Sequence, residues 1–481
     1  MPATAFTAYA APAELRPNIV FILADDLGYG SLGAYGANPD LVSTPNCDRL
    51  ALEGLRFVNG YAPCSVCTPS RYAALTGRYC WRTSLNTGVL NTTGSLLIET
   101  NRPTIASLLK KEGYQTAAVG KWHLGFGTTD PVDFTKELNP GPLELGFDTF
   151  FDLPANHGDR TGAYVQDHWI FGLNRSSPTE PSLPYTPIQG QTAMPLNAPR
   201  RIDENVMERL TGEAVTWINA RDRNHPFFLY FAPVAVHGPV TPSSATKGSS
   251  KAGIYGDWIR EFDISVGEIL NALEKQGLSD NTLIILSSDN GGVVRPDMVG
   301  TPEAIALKAG LKISGPFRGG KHNIWQGGLL VPFIVKWPGV VNPGAQSDAL
   351  ISLVDIYATL AELLKVPLST GDWEAPDSIS FAYALYGQSD VRSRRSLLVT
   401  CAYGNSGIIS EGWKFIEGTH KPDMKPAALK LFGDQYKPQL YYIRQDITES
   451  NDLYQSNPEK AAFLRSELLR LRTQSATRLL Q

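Results

Sequence analysis

Residues Asn18 to Ala24 (Asn-Ile-Val-Phe-Ile-Leu-Ala) are apolar without alternation and stop at Asp25-Asp26. A strand covered on both faces reads this way. The pattern recurs downstream. The spacing predicts a helix over 103–112, with Pro103 at its first position, Lys110 and Lys111 in its last turn and Gly113 as its stop. A strand over 114–120 follows and runs into Lys121-Trp122-His123. Helices over 203–220, 256–276 and 352–365 and strands over 226–232, 282–288 and 329–337 complete the alternation. Such alternation predicts an α/β fold, a large mixed and mainly parallel sheet sandwiched by helices. Ligands of such sheets bind outside the carboxyl ends of the strands. Asp25-Asp26, Lys121 with His123, His237 and Asp289-Asn290 each follow a strand's end, so residues far apart in sequence are expected in one cleft.

After about residue 370 the pattern changes. Residues 371–395 are polar, and short strands are expected at 396–401, 406–410, 413–417 and 439–443. A last helix begins at Pro458, with Asn457 as its cap, and carries Leu464, Leu468, Leu469 and Leu471. The expected organisation is a leader or disordered segment over 1–17, a catalytic domain over 18–370, and a small C-terminal α+β subdomain with an antiparallel sheet over 371–481. The Pro- and Gly-rich stretch 127–202 shows few strand signals and reads as a long insertion that shapes a site. The leader is Ala-rich; Ala8-Tyr9-Ala10 has the small residues of a cleavage site, but no basic segment precedes it.

Composition narrows the function. Lys plus Arg number 43 against 47 Asp plus Glu, a net charge of −4, which argues against a nucleic-acid binder. No apolar run is long enough to span a membrane. Five cysteines, Cys47, Cys64, Cys67, Cys80 and Cys401, cannot all pair, so at least one thiol is left over. Asp25-Asp26 and Asp289-Asn290 together offer three carboxylates and an amide oxygen, the set a hard divalent cation takes. Taken singly, either pair reads more readily as caps or turn formers; both together, in this topology, favour the cation.

Four further elements carry a resemblance. Cys67-Thr68-Pro69-Ser70-Arg71 is followed by Thr76-Gly77-Arg78. Gly113-Tyr114-Gln115-Thr116 leads into Gly120-Lys121-Trp122-His123-Leu124-Gly125. His237-Gly238-Pro239 and Gly319-Gly320-Lys321 come later. In order and content they resemble the type I, formylglycine-dependent sulfatases of the alkaline phosphatase superfamily. The closing stretch from Leu440-Tyr441 to Asn451-Asp452-Leu453 is similar too. One departure is Trp325-Gln326-Gly327-Gly328, where the family often has glutamate in place of Gln326.

The resemblance implies an alkaline-phosphatase-like fold and a sulfuric ester hydrolase, acting on a sulfated carbohydrate or an aryl sulfate. It assigns Asp25, Asp26, Asp289 and Asn290 to Ca2+ (Mg2+ being the alternative ion), with residue 67 as a further ligand. Cys67, converted to formylglycine by a separate maturating enzyme, would be the nucleophile. Arg71 and Lys121 would stabilise its hydrate, His237 and Lys321 would serve the leaving oxygen and the sulfate, and His123 would take the hydrate's second proton. Asn156, His157, Arg318 and His322 are candidates for substrate contact. Export to a periplasmic, extracellular or lysosomal space is expected. Two alternatives stay open: a phosphate or phosphonate ester hydrolase of the same superfamily, whose phosphatases usually have Ser or Thr at the position of residue 67, and a non-catalytic binder of sulfated glycans, if Cys67 stays unconverted.

Overall fold

The computed structural model describes residues 16–180, 184–187, 191–388, 393–419 and 433–478. The leader expected over 1–17 lies almost wholly outside them. Ten strands form the main sheet, in the order Ala345–Ser347, Leu55–Phe57, Phe333–Lys336, Thr282–Ser288, Asn18–Ala24, Phe227–Ala232, Gln115–Lys121, Thr149–Leu153, Val165–Gln166 and Trp169–Ile170. The five strands from Thr282–Ser288 to Thr149–Leu153 are mutually parallel. Phe333–Lys336 runs antiparallel to its neighbours on both sides, so the sheet is mixed.

The unbroken apolar run of the central strand follows from its position. Successive side chains point to opposite faces. Ile19, Phe21 and Leu23 enter one core with Tyr72, Leu109 and Tyr357. Val20 and Ile22 enter the other with Leu210, Trp258 and Phe262. Both faces are thus covered by helices. A four-stranded antiparallel sheet, Ser396–Thr400, Ser406–Ser410, Trp413–Ile416 and Gln439–Tyr442, forms the C-terminal subdomain. The helix Pro458–Thr473 covers it through Leu464, Leu468 and Leu471. That third core also takes in Tyr61, Ala73 and Leu329 of the large unit.

Some local expectations shift. The helix expected from Pro103 begins at Ile105, because Thr104 caps it by exchanging hydrogen bonds with Ser107. The strand expected over 329–337 shrinks to Phe333–Lys336, and Gln326–Leu329 is a helical turn. The stretch 127–202 holds more sheet than its composition suggested. Thr149–Leu153 extends the parallel set, and the buried Asp152 is what breaks its apolar pattern. The edge pieces Leu55–Phe57 and Ala345–Ser347 are three residues each and left no period to read.

Candidate active site

The strand Asn18–Ala24 lies between Phe227–Ala232 and Thr282–Ser288, so three carboxyl ends stand side by side. Asp26 leaves its strand with a φ of 60°, a left-handed conformation that few non-glycine residues adopt. Two bonds fix it there: its N–H donates to Asp289 Oδ1 at 3.1 Å, and the next N–H, of Leu27, donates to Ser288 Oγ at 2.8 Å.

Cys67 is the first residue of a helix, Cys67–Thr76, in which every residue is buried. A helix N-terminus favours a thiolate. Burial pushes the thiol up, but Lys121 and then Lys321 outweigh it and bring the pKa to about 7. The sulfur lies 3.7 Å from Asp25 Oδ1. One turn on, Arg71 donates through Nε to Asp289 Oδ2 at 3.0 Å and through Nη1 to the Lys121 carbonyl at 3.0 Å, while Nη2 lies at ion-pair distance from Asp289 Oδ2, 2.9 Å, and from Asp25 Oδ1, 3.4 Å. Lys121 Nζ reaches both oxygens of Asp25, at 2.9 and 2.7 Å. Lys321 Nζ donates to Asp26 Oδ2 at 2.8 Å. Three carboxylates and three cations thus share one buried cluster.

The two histidines beside it are set differently. His237 Nδ1 lies 2.5 Å from the Gly238 carbonyl, so this nitrogen carries the proton; Nε2 faces Asp26 Oδ2 at 3.7 Å. His123 Nε2 lies 3.0 Å from the Leu90 carbonyl and is likewise the donor. Burial, with Lys121 and Arg71 close by, holds the His123 imidazole well below its usual pKa. Its buried Nδ1 has no hydrogen-bond partner among the described residues. A neutral ring with a free lone pair is what a general base requires.

Among the described residues, ligand atoms of Asp25, Asp26, Cys67 and His237 all lie within 4.8 Å of one another. Asn290 Nδ2 donates to Asp26 Oδ1 at 2.7 Å, while its buried Oδ1 has no partner among the described residues. An oxygen-rich pocket with an unpartnered amide oxygen fits a hard cation such as Ca2+. His237 joins this close group, whereas both Asp289 oxygens already accept, from the Asp26 N–H and from Arg71.

The residues named for substrate contact divide. His157 is buried, bonds Thr241 Oγ1 at 2.8 Å, and lies close enough to His237 and Asp25 to feel their charge. The neighbouring Asn156 Oδ1 is buried without a partner. His322 follows Lys321. Arg318 is directed away, to Tyr441 Oη, the Glu449 carbonyl and Asp434, with its guanidinium over Trp325. Sequence reasoning missed Asp152 and Tyr230 beneath Arg71. Among the described residues, both carboxylate oxygens of Asp152 and the Tyr230 hydroxyl are buried without a hydrogen-bond partner, and both residues feel the Arg71 charge. The available signal was a lone acid inside an apolar strand.

Comparison with known proteins adds independent findings. The Sulfatase family profile matches residues 17–366. An N-acetylgalactosamine-6-O-sulfatase of Bacteroides thetaiotaomicron is 36% identical, over 94% of this chain and 92% of its own. The human N-acetylgalactosamine-6-sulfatase is 35% identical, over 73% of this chain and 62% of its own. A solved structure from the same Bacteroides species, a 6S-sulf described with the metabolism of multiple glycosaminoglycans, superposes with a TM-score of 0.87 at 34% identity and covers 96% of this chain and 100% of its own.

Proposed function

We propose that this chain, which belongs to the sulfatase family, hydrolyses the 6-sulfate ester of an N-acetylgalactosamine residue in a sulfated glycan. The substrate class is carried by the similarity to the Bacteroides N-acetylgalactosamine-6-O-sulfatase over 94% of the chain. The chemistry is supported by Cys67 at the head of a buried helix, among Lys121, Lys321 and Arg71. Cys67 stands where phosphatases of the same superfamily usually have Ser or Thr.

Residue 67 as formylglycine would supply a hydrated aldehyde as nucleophile, and Ca2+ held by Asp25, Asp26, Asp289 and Asn290 would supply Lewis-acid polarisation of the sulfate. The remaining work falls to the chain's own groups. Arg71 and Lys121 set positive charge against residue 67 and keep Asp25 ionised; burial alone would raise that carboxyl, and Lys121 holds it well below the usual range. Lys321 and His237 lie on the Asp26 side and serve the sulfate oxygens and the leaving oxygen. With Nδ1–H tied to the Gly238 carbonyl, His237 handles that proton at Nε2. His123 takes the proton of the second hydroxyl at Nδ1, its unpartnered nitrogen. A serine or an unmodified cysteine lacks that second hydroxyl and would stay sulfated.

No described helix is long and apolar enough to cross a membrane. Action in a periplasmic, extracellular or lysosomal space follows from a polymeric substrate, which does not cross a membrane unaided. A maturating enzyme that converts Cys67 is the partner this reading requires. Two measurements test it. Peptide mass spectrometry should find residue 67 lighter by about 18 Da, the exchange of a thiol for an aldehyde. Sulfate release should be fastest from N-acetylgalactosamine 6-sulfate, compared with the 4-sulfate and with glucosamine 6-sulfate. Cys67→Ala should end it; full turnover in that variant would refute the nucleophile, and preference for another ester would refute the substrate.

A further inference from the structure

Beyond Lys321 the cleft holds a cation that the catalytic cluster does not use. The loop after Asn290 and the loop carrying Lys321 pack backbone to backbone, with the Lys321 N–H donating to the Gly292 carbonyl at 2.8 Å. Val294 lies against Gly320, where an added Cβ would meet the Gly292 oxygen at 2.5 Å and Val294 Cβ at 3.1 Å. So close an approach leaves neither loop slack. The next residues outward, Arg295 and His322, therefore meet: Arg295 Nη2 is 3.3 Å from His322 Nδ1.

His322 is itself held, by its N–H on the Ser65 carbonyl at 3.0 Å. Burial, with Lys321 and Arg295 beside it, brings the imidazole down to about 3. The ring is neutral, and Nδ1 accepts from Arg295. Arg295 Nη1 also lies 3.5 Å from Met298 Sδ, and Tyr403 is near enough to feel its charge. Among the described residues no carboxylate lies within ion-pair distance of this half-buried guanidinium. Arg71 and Arg318, by contrast, each have theirs, in Asp289 and Asp434. A guanidinium is a planar donor fork shaped for carboxylate or sulfate. Here it faces a neutral ring and a thioether.

We propose that Arg295 receives a second anionic group of the substrate, a carboxylate or a further sulfate ester on the sugar that bears or adjoins the cleaved sulfate, and so selects polyanionic glycans over singly sulfated sugars. The inference rests on the sulfatase reading above. Lys321 engages the reacting sulfate; Arg295, one residue further out on the neighbouring loop, is placed for a charge farther along the glycan.

The test compares three substrates with the same cleavable 6-sulfate: the monosaccharide, a disaccharide whose second sugar carries a carboxylate, and one whose second sugar carries a sulfate. Wild-type kcat/KM should favour one or both charged substrates by about 10- to 100-fold, the weight of a charge-assisted contact. In Arg295→Ala that ratio should fall towards one, mainly through KM, and Arg295→Lys should keep part of it. A ratio between substrates does not depend on the fraction of enzyme that is folded or converted. The charged substrate that loses its advantage identifies the anion. A wild-type ratio near one, or a ratio unchanged in Arg295→Ala, overturns this inference alone. Release from none of the three overturns the sulfatase reading and this inference with it.

Discussion

Glu449→Gln should destabilise the protein far more than the loss of a surface charge. Glu449 and Lys414 are paired at 2.7 Å, and neither side chain has any exposed surface. Burial pulls Lys414 below its usual pKa and pushes Glu449 above its own, each offset by the other's charge. Glu449 Oε2 also accepts the Gln326 N–H at 2.5 Å, and the Gln326 amide donates to Tyr61 Oη at 3.0 Å. The pair thus ties the C-terminal sheet to the turn that follows Lys321. Removing the carboxylate leaves an ammonium buried and unpaired, a cost of about 3–5 kcal/mol. That is a large share of the roughly 5–15 kcal/mol by which a domain is stable. The double variant Glu449→Gln with Lys414→Met removes both charges and keeps an acceptor for Gln326, so it should recover all but about 1 kcal/mol. Urea unfolding followed by tryptophan fluorescence, run as a double-mutant cycle, measures the coupling. The reasoning fails if Glu449→Gln costs less than about 1 kcal/mol, or if the double variant is as unstable as the two single losses added together. The same geometry explains why glutamine is accommodated at position 326: a second carboxylate beside Glu449 would confront a single ammonium. Gln326→Glu should therefore destabilise by about 1–3 kcal/mol.

Three further outcomes are expected. In unconverted, metal-free protein, iodoacetamide should label Cys67 with a half-maximal rate near pH 7, because its thiolate forms above about 7; Cys64, Cys80 and Cys401, pushed up by burial to about 11, 12 and 12, should stay unlabelled at pH 8, and uniform labelling would refute this. Ca2+ should raise the melting temperature, by an increment worth about 2.7 kcal/mol at a hundredfold excess over its Kd, and Asn290→Ala should shrink that increment; calorimetry with and without chelator checks both. Burial raises the Asp152 carboxyl well above its ordinary pKa, so stability is lost as pH climbs from the unfolded carboxyl range through the folded value. Asp152→Asn should gain about 1–3 kcal/mol at neutral pH and nothing near pH 4, and an equal gain at both would contradict the assignment.

The central strands and the C-terminal sheet were legible because each strand is long enough, or flanked closely enough by polar residues, for burial to print a pattern. Asn18–Ala24 and Thr282–Ser288 have the bounds their sequences predicted. The cluster was legible for a topological reason: side chains that follow parallel strands emerge at one edge, so Asp25, Lys121, His237 and Asp289 could be grouped from sequence alone. What stayed hidden depends on packing across the chain. Nothing near Arg318 in sequence shows that it turns to Asp434, 116 residues on. Thr149–Leu153 was obscured by Asp152, a buried acid that interrupts its apolar pattern. Arg295 and His322 are separated by 27 residues, and their contact exists because two glycine-rich loops close on one another.

Charge joins these observations. The whole chain carries −4, yet its site must accept an anion. Within the cluster, Arg71, Lys121 and Lys321 are paired with Asp289, Asp25 and Asp26, so much of their charge is already engaged. Unmodified Cys67, with a pKa of about 7, would add negative charge where the sulfate must approach. On the proposed reading, conversion to an aldehyde would remove that charge while creating the nucleophile, and a bound divalent cation would then leave the cluster positive in a space where water screens little. The basic residues are therefore spent first on holding carboxylates in place. The attraction for sulfate would then arise only when conversion and metal binding are complete, and maturation would be an electrostatic requirement as well as a chemical one.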